Sequence, residues 1–208
     1  MSRPEWWQDW RGQTAIVVAS GPSAGQCLLS LAKGRAKFIA ANSSWDLAPW
    51  ADVLFAADDA WWEVHHRRAG AFGGLKLAGE ECTGRKYGLA VAPIDRDATD
   101  QMVLDRPYKV ASANSGFTAL NLAVQFGAPK VLLVGFDVRV DKGLHWHGQH
   151  DRRLNNPNVE RTVRWRKILD DAAPALAAHG VELINCSSVS ALRAYPKVPF
   201  EQAVKAIS

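Results

Sequence analysis

The chain has 208 residues, 48% of them hydrophobic, and a formal net charge of +4. That length suits one α/β domain and the apolar content excludes a disordered chain. No apolar run reaches the roughly 18 residues that a membrane span needs. The N-terminal stretch lacks the apolar segment of a signal peptide, so a cytoplasmic protein is expected.

Cys27, Cys82 and Cys186 are widely separated. They form neither a zinc spacing nor a disulfide framework, and reduced, mostly buried thiols are expected. The basic residues are dispersed except at Arg152-Arg153 and in residues 161–167. Arg161, Arg164, Trp165 and Lys167 read as a solvated helix face, so nucleic acid is not the favoured partner. Five of the nine tryptophans lie in the first fifty residues. Trp6, Trp7 and Trp10, at helical spacing, predict a short amphipathic helix over residues 1–13, docked on the domain or on a partner.

Residues 14–19 are a continuous apolar run of strand length, and Ser20-Gly21-Pro22-Ser23-Ala24-Gly25 is its turn. Residues 26–32 predict a helix ending near Gly34. Residues 37–41 predict a second strand that stops at Asn42-Ser43-Ser44, and residues 52–57 a third that stops at Asp58-Asp59. Strand, turn, helix, strand is the rhythm of a parallel sheet, and continuous apolar runs suit strands covered on both faces. Residues 63–108 read as an irregular insertion or lid, with weak strand candidates at 75–77 and 89–93. The rhythm then resumes with a helix at 115–126, a strand at 130–136, a loop at 138–158, a long helix at 159–179 kinked near Pro174, a strand at 181–185, and a short helix in the tail 196–208. The expectation is an α/β fold: one Rossmann-like domain over 14–195 with a mainly parallel sheet flanked by helices.

Candidate site residues cluster at the predicted strand ends, where open parallel sheets bind ligands. The turn at Ser20, Gly21, Pro22 and Ser23 feeds a predicted helix and suits a phosphate, although it is neither a dinucleotide fingerprint nor a P-loop. Asn42, Ser43 and Asp58 end strands and are candidates for nucleotide contacts. Asp59 is the natural start of the helix beginning Ala60-Trp61-Trp62. Asn114, Ser115 and Gly116 open the 115–126 helix, where one residue can cap the helix and bind an anion. Asp137 follows the 130–136 strand, in a position to contact a ribose or orient a histidine.

His145, His147 and His150 carry the most chemistry. One imidazole can act as a general base near neutral pH. Three so close together can also ligate zinc or another transition metal, and a plain polar loop with incidental histidines is the third reading. The base reading is taken forward and no metal ligand is assigned. Arg152 and Arg153 are placed to neutralise a departing phosphate.

The order of these features resembles a known group. Residues 16–23, Ile-Val-Val-Ala-Ser-Gly-Pro-Ser, resemble the opening strand and Gly-Pro-Ser motif of the family-42 bacterial sialyltransferases and of the related DUF115 group. That group includes motility-associated glycosylation factors and MptE-like 6-hydroxymethylpterin diphosphokinases. Asn42 stands where the sialyltransferases carry a nucleotide-contacting Asn. Residues 115–120 and 126–137 resemble their Ser-Gly helix start and the following Gly-x-Asp strand, and residues 185–192 resemble their C-terminal ending. Histidine-rich loops of this kind also occur in phage-encoded members.

The resemblance implies that Gly21, Ser23, Asn42, Ser115 and Gly116 contact a nucleotide and that His147 or His150 is the base. The chain is short for a sialyltransferase and lacks the tyrosines expected around its phosphate site. The function expected is therefore a nucleotide-sugar-dependent glycosyltransferase with no obligatory cofactor and an unknown acceptor. An MptE-like pyrophosphokinase is the alternative. It would need Mg²⁺ on acidic ligands such as Asp58, Asp59 and Asp137. A non-catalytic nucleotide- or nucleic-acid-binding protein is the third reading, and a homo-oligomer through the Trp-rich N-terminus is a further expectation.

Overall fold

The computed structural model describes residues 3–207, so Met1, Ser2 and Ser208, at the tips of the two expected terminal segments, lie outside the described residues. In chain order the elements are β1 (Thr14–Val18), β2 (Lys37–Ala41), β3 (Val53–Ala56), α1 (Asp59–Ala69), β4 (Leu75–Ala78), α2 (Glu81–Tyr87), β5 (Ala90–Val91), β6 (Ile94–Thr99), β7 (Val110–Ser112), α3 (Ser115–Gln125), β8 (Lys130–Val134), α4 (Val159–Asp171), α5 (Ala173–Ala178), β9 (Glu182–Asn185) and α6 (Phe200–Lys205).

Seven strands form one sheet in the order β5-β4-β3-β2-β1-β8-β9. Every pairing in it is parallel. The continuous apolar runs behave as a two-faced strand requires, because successive side chains point to opposite faces. Val17, Ile39, Phe55 and Leu133 enter one core, against α3. Their neighbours Ile16, Val18, Phe38, Leu54 and Leu132 enter the other, with Trp61, Trp62 and Phe200. Residues Ser115 to Val124 of α3 are all buried, so this helix is a central support of the sheet. Among the described residues no helix is long and apolar enough to cross a membrane.

From β1 the chain moves outward through β2 to β5, then returns to place β8 on the other side of β1. The strand order therefore reverses between β1 and β8. Beyond the carboxyl ends of such a pair the connections diverge and leave a crevice.

Four local expectations are corrected. Residues 26–32 are not an α-helix. Two short 3-10 turns, Pro22–Gln26 and Leu29–Ala32, stand there, because the stretch is too short to sustain a helix unaided. Residues 63–108 are largely ordered elements: β4 and β5 extend the main sheet and β6 pairs with β7 in a small second sheet. The 159–179 helix is two helices separated at Ala172, with Pro174 in the first turn of α5, where a missing N–H costs nothing.

The fourth correction concerns the N-terminus, which forms turns rather than an amphipathic helix. Trp7 and Trp10 place their ring centroids 5.0 and 4.8 Å from Phe126, which follows α3. The Trp10 N–H donates to the Phe126 carbonyl at 2.7 Å, and Trp10 is only 1% exposed. These rings pack on the chain's own core, so the segment docks on the domain, but as turns rather than as a helix.

Candidate functional site

The crevice beyond β1 and β8 is a cleft of about 630 Å³. Of the residues expected in a site, Ser20, Gly21, Asn42, Asp58, Asn114, Ser115, Gly116, Asp137, His145, His150 and Arg153 line it. Pro22, Ser23, Ser43, His147 and Arg152 do not. Ser43 is buried and its Oγ accepts a hydrogen bond from Trp61 Nε1 at 3.4 Å. Arg152 is exposed to solvent away from the cleft.

Two amides of the Ser20–Ser23 turn, expected to cradle a phosphate, are engaged within the protein. Gly21 N–H donates to the Gly135 carbonyl at 2.9 Å, and Ser23 N–H donates to Asp137 Oδ2 at 2.8 Å. The Ser23 hydroxyl donates to Asp137 Oδ1. Pro22 has no N–H, so these amides tie β1 to β8 rather than facing a ligand. A Cβ on Gly21 would lie 2.5 Å from the Gly135 oxygen and 2.7 Å from Asp137 Cγ, so only glycine permits the crossing. Asp137, expected to contact a ribose or a histidine, is fully buried as the acceptor of this clasp. Burial pushes its carboxyl above the usual carboxylate value, while the Ser23 hydrogen bonds pull the other way.

Two features do present free polar groups to the cleft. The first is the start of α3. Asn114 is its N-cap and accepts from Phe117 N–H at 3.1 Å. The first N–H groups of an α-helix have no acceptor within the helix. Here they belong to Ser115 and Gly116, which line the cleft, at the positive end of the helix dipole. The second is Asn42, which ends β2 in the left-handed region at φ 53°. Its Oδ1 is buried with no hydrogen-bond partner. Buried polar atoms are nearly always satisfied, so this oxygen, on a residue that lines the cleft, is an exception among the described residues.

Residues 138–158 form the opposite wall. The loop is anchored: Trp146 N–H donates to the Ser20 carbonyl at 3.0 Å, and its indole Nε1 donates to Ser44 Oγ at 3.3 Å. This brings three imidazoles together. His145 and His147 stack with centroids 5.0 Å apart, and His150 lies 4.1 Å from His145 and 4.9 Å from His147. Burial, then the neighbouring imidazoles, push His145 down to about 3 and His150 down to about 4. Burial lowers His147 as well. Each shift favours the neutral ring.

The cations at the cleft differ from those expected. Arg153 lines it but pairs with Asp151 at 3.0 Å. The α4 face, expected to be merely solvated, contributes Arg161, Arg164 and Trp165 to the lining. Arg164 clasps Asp100 with bonds of 2.9 and 2.7 Å. Among the described residues Arg161 forms no ion pair, which makes it the cation available to a ligand. Sequence reasoning missed this because an i, i+3 basic pattern looks the same on a free face and on a face that roofs a cleft.

The carboxylates do not gather as a Mg²⁺ site would require. Asp59 accepts from Thr83 Oγ1 at 3.1 Å and Lys86 Nζ at 3.2 Å, and Asp137 is held by Ser23. Among the described residues the histidine trio is the only group of three or more His, Cys, Asp or Glu whose ligand atoms come together.

No family model matches this sequence, and no curated protein matches it. Solved structures do. The sialyltransferase CstII from Campylobacter jejuni, in complex with cytidine 5′-monophosphate, superposes with a TM-score of 0.59 at 12% identity, covering 91% of this chain and 86% of that one. A complex of the same enzyme with a trisaccharide acceptor and CMP gives 0.58 at 12% identity, covering 90% and 86%. The chain has a sialyltransferase-like fold. At this identity the likeness establishes architecture, and the functional reading rests on the cleft itself.

Proposed function

We propose that the protein is a nucleotide-sugar-dependent glycosyltransferase whose donor lies in the cleft between β1 and β8. The observation that carries this reading is Asn42, whose Oδ1 lacks a partner, in one cleft lining with the start of α3 at the strand-order reversal. Asn42 would read the base or ribose of the nucleotide. The Ser115 and Gly116 N–H groups would hold a phosphate, and Arg161, with Arg153, would stabilise the charge that develops on the leaving nucleotide. The structures of similar fold that bind CMP support a nucleotide as the ligand class.

His150 is the base in this reading, because it lines the cleft whereas His147 does not. Its ring is neutral at pH 7 and offers a lone pair to an acceptor hydroxyl. The negative charge of a bound donor raises its basicity toward the working range. The clasp between Ser23 and Asp137 positions the β1 and β8 ends and has no direct part in transfer.

Titration of CMP, UMP, GDP and ATP, followed by tryptophan fluorescence with and without Mg²⁺, tests the proposal. Trp165 in the lining makes the signal available. Metal-independent binding of a pyrimidine nucleotide is the expected result. Binding of ATP only with Mg²⁺ would favour a pyrophosphokinase instead, and absence of any nucleotide binding would sink both. His150→Ala should abolish turnover while sparing nucleotide binding.

A further inference from the structure

The histidine trio has a second capacity beside the base role proposed for His150. We propose that His145, His147 and His150 form a three-imidazole site for a divalent transition ion of the zinc class. The inference rests on the cluster alone; an ion held by all three rings would occupy the His150 lone pair that the proposed base uses, so ion binding and base catalysis are alternatives at that residue.

One nitrogen from each ring lies within 4.8 Å of the others. A tetrahedral zinc with bonds of about 2.0–2.1 Å spaces its ligand atoms by roughly 3.3 Å, so closure needs only side-chain rotation of a fraction of that difference. The Nε2 atoms of His145 and His147 are buried with no hydrogen-bond partner. Two buried, unsatisfied nitrogens side by side cost free energy that a shared cation would remove. Neutral imidazole is the ligating form, and the rings are packed as neutral groups, since three imidazolium ions at these spacings would repel.

The frame is stiff enough to hold such a site. Trp146 is fixed between His145 and His147 by its bonds to Ser20 and Ser44. On the far side, His150 N–H donates to Asn156 Oδ1 at 3.0 Å, and Gly148 N–H donates to the His145 carbonyl at 3.1 Å. His145 and His150 also line the cleft, so the fourth coordination position opens toward it. Three nitrogens and one open position form the donor set that zinc and cobalt accept, whereas Mg²⁺ prefers oxygen.

The test uses the full chain without an affinity tag, stripped with a chelator and then dialysed. Co²⁺ titration should give one equivalent with the visible absorption of a tetrahedral nitrogen-rich site, and Zn²⁺ should displace it stoichiometrically. His147→Ala and, separately, His150→Ala should each weaken the ion by roughly 100-fold. His179→Ala, at an exposed residue outside the cluster, should leave binding unchanged. Circular dichroism establishes that each variant is folded, and two variants are used so that loss of one to misfolding still leaves a reading. Absence of a tetrahedral Co²⁺ band, or an affinity that survives both cluster substitutions, would overturn the site. Neither outcome depends on nucleotide binding or turnover, so failure here is distinguishable from failure of the transferase proposal.

Discussion

Asp137, at the end of β8, accepts both the N–H and the hydroxyl of Ser23 across 114 positions of sequence. This pair fixes the mouth of the cleft. It converts two residues that look like ligand contacts into the fastening between the strands on either side of the order reversal.

Replacing Asp137 with Ala should destabilise the fold by roughly 1–3 kcal/mol, because both Ser23 donors then lose their acceptor. The pH dependence has a definite sign. Burial raises the folded-state value of Asp137 above its ordinary 3.8, so the folded chain binds the proton more tightly than the unfolded one. Its stabilising contribution is complete below the ordinary value and is lost as pH rises through the folded value. The stability difference between parent and Asp137→Ala should therefore shrink as pH rises through that window. Urea midpoints measured across the acid range check this, and a difference that grows with pH would contradict the assignment.

Gly21→Ala should cost about 1–3 kcal/mol, since its Cβ would meet the Gly135 carbonyl oxygen at 2.5 Å and that contact is backbone. Gly25→Ala provides the contrast. A Cβ there meets only Trp146 Cβ, at an ordinary 3.5 Å. Thermal melting of the two variants should separate them clearly.

Asn42 separates binding from stability. Asn42→Gly keeps a residue that tolerates the left-handed backbone, so stability should stay within about 1 kcal/mol of the parent. Loss of the amide should nonetheless weaken nucleotide binding by about tenfold. Calorimetric titration together with a melting curve reads both quantities, and unchanged affinity would remove Asn42 from the site.

Arg161→Ala should lower nucleotide affinity by roughly fivefold, an effect that fades with added salt, because the side chain is exposed and its charge is screened. Arg152→Ala should leave affinity unchanged, as Arg152 lies outside the cleft. Equal effects of the two substitutions would point to general charge attraction rather than to a contact.

The thiols should separate by reactivity. Cys82 is exposed, whereas burial pushes Cys27 up to about 11 and Cys186 up to about 12. The thiolate is the reactive form, so an aromatic disulfide reagent at pH 8 should titrate one thiol quickly in the native protein and three after unfolding. Cys82→Ser should remove the fast phase.

Much of this fold was legible along the chain. Apolar runs such as residues 14–18 and 130–134 lie in strands covered on both faces, and a strand so covered is continuous in sequence as it is in space. A cap at Asn114 or Ser115 was legible because a cap is local: in the cap that forms, at Asn114, the acceptor and the donor are three residues apart. The parallel sheet and the placing of candidate residues at strand ends follow from that rhythm.

What the chain could not show are relationships between distant residues. Nothing near Ser23 or Asp137 signals that they satisfy each other, so both look free for a ligand until β1 and β8 are side by side. Arg161 looks like solvated surface until α4 is folded over the cleft. The tryptophans of the first turn look like a helix face until Phe126 is between them. The three histidines are close in sequence, but whether their rings converge depends on Trp146, whose anchors Ser20 and Ser44 belong to other strand ends. Local propensity and apolar patterning determine the elements. Which polar group is left without a partner is decided only by what the rest of the chain brings against it.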